Sequence, residues 1–239
     1  MISDNLQKEI ANYCNSKPNE ESGGIIARDS FNVLKNTSKD KKNYYETHFD
    51  DLSIDYIVHS HLNSGEPSKI DQIVCNKLQI PLVIFSILNQ DFTYVYPTKD
   101  YKIGYYDRPY IYSILDCLEL VRDFYLYELN IEIKPFLDPL RHLHSNKKLI
   151  FSELNTESNM TFVNYFIEQG FQSVSKKEIK KHDIILYNGD IIKPAHACGI
   201  YMGNNQILEH KFEKPSGINF INLNDKHIIS ILRHKSMCN

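Results

Sequence analysis

The stretch IVHSHLNSGEPSKID, residues 57–71, places two histidines one residue apart and then a serine and an aspartate. Side chains on an extended strand alternate between faces, so His59 and His61 project to one side while Ser60 points to the other. Two imidazoles can then reach one ion. The residues before them, Ile54 to Val58, are β-prone, as a strand feeding a site should be. Pro67 and Ser68 open a helix, and Asp71 falls in its first turn. There it supplies a third, anionic ligand and leaves the fourth position of a tetrahedral zinc to water, the arrangement of a catalytic site. The same Ser68 and Asp71 also read as an ordinary capping box.

Upstream, PNEESGGII, residues 18–26, sets carboxylates just ahead of a glycine turn and an apolar strand. A zinc hydrolase needs such a group to take up a proton. Together Glu21, His59, His61, Ser68 and Asp71 resemble the JAMM motif of the Mov34/MPN/PAD-1 metalloproteases. The resemblance implies that His59, His61 and Asp71 bind Zn2+, that Glu21 is the general base and that Ser68 steadies the oxyanion. Glu21 is preferred to its neighbour Glu20 because it stands three residues before Gly24, as the family pattern asks. The chain departs from that pattern in a His61 to Ser68 spacing one residue short, and in Gly23 where relatives carry Cys or another small residue.

Downstream, PLVIFSIL and FTYVYP carry the first unit to Pro97, and the order helix, strand, strand, metal loop, helix and strand makes residues 1–97 a mixed α/β domain. Residues 98–107 are polar, contain glycine, lack apolar periodicity and read as a linker. Residues 108–239 form the second unit. It opens with a helix over Leu115 to Leu129 and closes with strands over Asp183 to Tyr187, Gly199 to Met202, Gln206 to Glu209 and Ile228 to Leu232.

In RPYIYSILDCLELVRDFY, residues 108–125, Asp116 is a favoured N-cap and Cys117 follows in the first turn. Free amides and the positive end of the helix dipole favour a thiolate there. The bland alternative is a buried cysteine on a face shared with Val121 and Phe124. A second segment supplies a base: His196 precedes the strand ACGIYMG, and GIYMGNNQIL reads as a strand pair. These segments resemble the NlpC/P60 family, papain-like cysteine peptidases that commonly cut bacterial peptidoglycan. The resemblance implies Cys117 as nucleophile, His196 as base and Tyr110 as a residue shaping the oxyanion site. The family writes its histidine two residues before the strand glycine, whereas His196 is three before Gly199. A β-bulge at Ala197 and Cys198 would bring His196 to the correct face, and without one Ala197 occupies the base position. For the third member the matching position is Glu209, with His210 in reserve.

The fold class expected is therefore α/β and α+β, a JAMM-like mixed α/β domain followed by a papain-like NlpC/P60 α+β domain. That order resembles the protein K type tail tip assembly proteins of lambda-like siphophages. The resemblance implies a virion protein made in the host cytoplasm, with other phage tail tip proteins as partners and the peptidoglycan of the bacterial cell wall as substrate. A docking or assembly role for inactive peptidase folds is the other class open. A net charge of -3 argues against a general nucleic-acid footprint. No apolar span is long enough to cross a membrane, and MISDNLQKEI reads as an amphipathic helix rather than a signal peptide. Five cysteines without a CxxC pair describe neither a disulfide framework nor a cysteine-rich metal knuckle.

Overall fold

A computed structural model describes residues 2–47, 53–111, 114–135, 157–188, 197–212 and 214–238, with backbone alone at 157–161. The chain divides into two units, Met1–Lys102 and Ile103–Asn239. Each carries one sheet, and the fold is mixed α/β.

In the first unit, helix α1 (Asp4–Asn15) starts where the Ser3 hydroxyl accepts from the Leu6 amide. Strands β1 (Gly23–Ala27), β2 (Ser30–Leu34) and β3 (Tyr56–His61) precede helix α2 (Lys69–Leu78), and β4 (Leu82–Ser86) and β5 (Asp91–Val95) follow it. The sheet runs β2-β1-β3-β4-β5. Only β3 and β4 pair in parallel, because α2 carries the chain back across one face between them. The alternation of β3 decides what each face meets. Val58 turns toward α1 and packs with Leu6, Ile10, Phe31 and Phe85. Ile57 turns toward α2 and packs with Ile25, Cys75 and Leu82. His59 and His61 share the parity of Ile57, so they face the helix that carries Asp71.

Strand β2 was not expected from sequence. Its hairpin turns on Arg28 and Asp29, both left-handed at φ 51° and 57°, a conformation that the Asn-Gly or Asp-Gly signals of hairpins usually announce.

The second unit contains α3 (Cys117–Leu129), α4 (Glu157–Glu168), β6 (Phe171–Ser173), β7 (Ile184–Tyr187), β8 (Ala197–Gly203), β9 (Gln206–Glu209), β10 (Gly217–Phe220) and β11 (Ile228–His234). The sheet order is β10-β9-β8-β7-β11-β6, with every pair antiparallel. Leu118, Leu120, Val121 and Phe124 of α3 and Phe166 of α4 pack on Ile184, Leu186, Ile200, Leu208 and Leu232 of the sheet. The three-residue β6 is too short to show a pattern, and β10 was missed although Ile218 and Phe220 alternate with Gly217 and Asn219. Helix α3 begins at Cys117 rather than Leu115, since Asp116 is its N-cap.

The expected linker over 98–107 is shorter in the structure. The Asn76 side chain holds the Thr98 amide at 2.6 Å, within the first unit. At the other end the buried Arg108 donates to the carbonyls of Ile103 and Gly104 at 3.0 and 2.5 Å, and Ser216 donates to that of Tyr105 at 2.9 Å. Those contacts draw residues 103–107 into the second unit. Among the described residues, no helix is long and apolar enough to cross a membrane.

Candidate functional site

In the first unit the nitrogen and oxygen donors of His59, His61 and Asp71 converge. The two Nε2 atoms lie 3.1 Å apart, and the Asp71 carboxylate oxygens lie 3.2 Å from that of His59 and 3.4 Å from that of His61. Three donors around one tetrahedral zinc, at bond lengths of about 2.0–2.1 Å, sit roughly 3.3 Å from one another. The donor set fits the ion in kind, and one donor atom from each residue lies within 4.8 Å of the others. The Nδ1 of His61 faces the Ser64 carbonyl at 3.2 Å and must donate to it, which leaves Nε2 as the ligand atom. Burial opposes ionisation of Asp71, yet hydrogen bonds from His59 and His61 hold it well below the usual carboxylate range. For His61 burial works against the proton, and the hydrogen bond and charge of Asp71 outweigh it and raise the pKa.

Asp71 is itself positioned by a complete capping box. The Ser68 amide donates to Asp71 Oδ2 at 2.7 Å, and the Asp71 amide donates to Ser68 Oγ at 3.1 Å. Ser68 thus spends a lone pair on the cap and keeps its O–H for another acceptor, on an exposed residue.

Glu21 reaches the same place through strand pairing. Gly23 pairs with His59, and the ladder continues upstream through Ser60 N–H to the Ser22 carbonyl at 2.8 Å and Ser22 N–H to Ser60 Oγ at 3.0 Å. Two residues before Gly23, Glu21 therefore falls opposite His61 and on the histidine face. Close approach of β1 to β3 requires glycine here, because a Cβ on Gly23 would stand 2.0 Å from the Val58 carbonyl oxygen. Burial raises the Glu21 pKa, against the lowering effect of His59 and His61. Glu20 points elsewhere and pairs with Lys17 at 3.1 Å and Lys41 at 3.6 Å.

Tyr45 was missed from sequence. Its ring stacks on that of His59 at 5.9 Å with 3° between planes, and its hydroxyl donates to the Leu34 carbonyl at 3.1 Å. It lies 14 positions from His59 in a segment without periodicity, so nothing local marked it.

In the second unit Asp116 Oδ1 accepts from the Leu118 and Glu119 amides, both at 3.0 Å, and Cys117 stands as the first residue of α3. The Cys117 side chain is buried against β8, where it is hydrogen-bonded to Cys198. A capped helix start backed by an antiparallel sheet is the setting in which a papain-like peptidase holds its thiol. A family model described as the NlpC/P60 family matches residues 99–235. The chain belongs to the NlpC/P60 family. No curated protein matches it.

Within the NlpC/P60 unit the expected bulge does not fall between β7 and β8 among the described residues. Tyr187 pairs with Ala197, Leu186 with Cys198 and Ile185 with Gly199 in unbroken register, and the irregularity of β8 falls later, between Tyr201 and Gly203. Ala197, two residues before Gly199, thus occupies the ladder position where the family pattern has its histidine. His196 lies outside the described residues. Glu209 pairs with Gly199, and its buried carboxylate accepts from the Tyr187 hydroxyl and from Lys211 Nζ at 3.0 Å. Glu209, Tyr187 and Ala197 share one face of the sheet.

His210 turns to the other face and is buried. Neither ring nitrogen has a hydrogen bond of ordinary geometry among the described residues. Burial and the nearby Arg108 charge push its pKa down to about 4, so it sits neutral in the core. Tyr110 packs edge-on against His210 at 5.0 Å and Phe212 at 5.3 Å. The role expected for Tyr110 at an oxyanion does not follow from those contacts.

Proposed function

We propose that this protein is a two-site peptidase acting on bacterial peptidoglycan, carried by a phage tail tip. The observation supporting it most directly is Cys117, the first residue of a capped helix inside the NlpC/P60 match. The Cys117 thiolate attacks the carbonyl carbon of a stem-peptide bond, the amine leaves with a proton, and water hydrolyses the resulting thioester. In this reading His196, next to Ala197 and outside the described residues, supplies the base and Glu209 orients it.

The first unit acts as a zinc-dependent peptidase or isopeptidase. His59, His61 and Asp71 hold the ion, and their convergence supports that reading. When bound there, zinc supplies Lewis-acid polarisation of a scissile carbonyl. Glu21, raised by burial, takes a proton and hands it on, while Ser68 donates its hydroxyl hydrogen to the developing oxyanion. The order of the two units supports placement among phage tail tip assembly proteins, whose partners are other tail tip components.

A second reading has a specific observation behind it. Ala197 in the family's histidine position favours a peptidase fold retained for docking during tail assembly. Release of soluble muropeptides from purified peptidoglycan by the wild type, lost in Cys117→Ala, is expected from the first reading. Equal release by both proteins overturns it in favour of the second.

A further inference from the structure

Two thiols meet at the start of α3. Cys117 is 8% exposed, whereas Cys198, the second residue of β8, is wholly buried. Both belong to one apolar cluster, and their side chains are hydrogen-bonded to each other. The other cysteines stand apart. Cys14 and Cys75 lie in the cores of the first unit, and Cys238 is exposed beside the Gln172 amide at 3.1 Å. Cys198 has the strand parity of Ile200 and pairs with Leu186, both on the sheet face that packs on α3, so its sulfur lies on the side from which Cys117 enters the same cluster, as a disulfide between them requires.

We propose that Cys117 and Cys198 form a reversible disulfide that closes the nucleophile position, with a small-molecule disulfide of the glutathione class as oxidant. The two residues enter the exchange unequally. Cys117 has partial access to solvent and the helix N-terminus behind it, so its thiolate attacks one sulfur of the oxidant. A mixed disulfide forms at Cys117, and the first small thiol leaves and takes up a proton. Cys198, whose thiol burial pushes up, then gives its proton to solvent and attacks the Cys117 sulfur, expelling the second small thiol. Two cysteine thiols are oxidised to one disulfide, and one small disulfide is reduced to two thiols. Any chemistry of Cys117 is confined to reducing conditions, and the latch exists whether or not Cys117 cleaves a peptide bond.

The full chain is incubated with oxidised glutathione, acid-quenched, alkylated and digested with trypsin. Cys117 and Cys198 fall in different tryptic peptides, residues 103–122 and 182–211, since Arg108 and Lys193 each precede proline. The expected result is one covalently linked pair of those peptides, lighter by two hydrogens than their sum and separated by dithiothreitol. Alkylation of Cys117 is lost on oxidation and returns on reduction. In Cys198→Ser, Cys117 ends as a stable glutathione adduct. Glutathione retained on wild-type Cys117, or oxidised protein linked only through Cys238, overturns the proposal. The wild-type digest decides even if Cys198→Ser does not fold, and no arm depends on peptidase activity.

Discussion

At the scale of single residues, the three donors of the first unit do two jobs that substitution can separate. Asp71 caps α2 through Ser68 and faces both histidines. Asp71→Asn keeps a capping side chain and removes the anion, so zinc content should fall from one ion per chain to a small fraction while far-UV circular dichroism stays unchanged. His59→Ala should lose the metal in the same way. Wild type that holds no zinc after supplementation, by elemental analysis, sinks the metal site. His210 makes a different prediction. Its folded pKa of about 4 lies below the ordinary 6.5, so the unfolded chain takes up the proton first as pH falls. The stability from neutral burial is complete above pH 6.5 and is lost as pH falls through 4, a swing on the order of 3 kcal/mol. Urea melts across that window should show a flatter slope in His210→Gln than in the wild type. Parallel slopes would mean that His210 is not buried neutral. From sequence, His59, His61 and Asp71 were legible as a set because alternation on a strand and the first turn of a helix are local facts. Tyr45 was not, since its stacking on His59 depends on how a non-periodic loop folds back.

At the scale of elements, the start of α3 is the most exposed to test. Asp116 satisfies two amides that would otherwise lack partners, with Cys117 between the cap and those donors. Asp116→Ala should cost about 1 kcal/mol in the second unit, read as a lower urea midpoint, and Asp116→Asn much less because Asn also caps well. Equal losses in the two variants would show that charge rather than capping matters there. The sequence marks this element completely: an N-cap residue, an apolar face over Leu118 to Tyr125, and an αL terminus at Asn130. Hairpins are less evenly marked. The β8–β9 turn carries Asn204 and Asn205 at positive φ and was visible, whereas the β1–β2 turn on Arg28 and Asp29 was hidden behind residues that rarely advertise that conformation.

At the scale of the whole molecule, two units with separate cores are joined by a short run of chain. Thr98 is held on one side, and residues 103–107 are drawn in by Arg108 and Ser216 on the other. Trypsin should therefore cut first after Lys99 or Lys102, both exposed, and leave two resistant fragments. Arg108 precedes Pro109 and is no trypsin site, and it is buried with its guanidinium on Asp123 at 2.8 Å. A first cut inside residues 20–90, or after Arg122 within α3, would show this boundary to be wrong. The sequence by itself determined whatever a few adjacent residues can encode: strand parity at His59 and His61, the capping boxes, the apolar faces of the helices and the glycines where strands crowd. Only the tertiary structure decided that Tyr45 stacks on His59, that Ala197 keeps the ladder register, and that Cys198 meets Cys117. Each of those is a meeting of distant segments, and for Ala197 and Cys198 the outcome turns on a strand register in which a shift of one residue reverses every side chain.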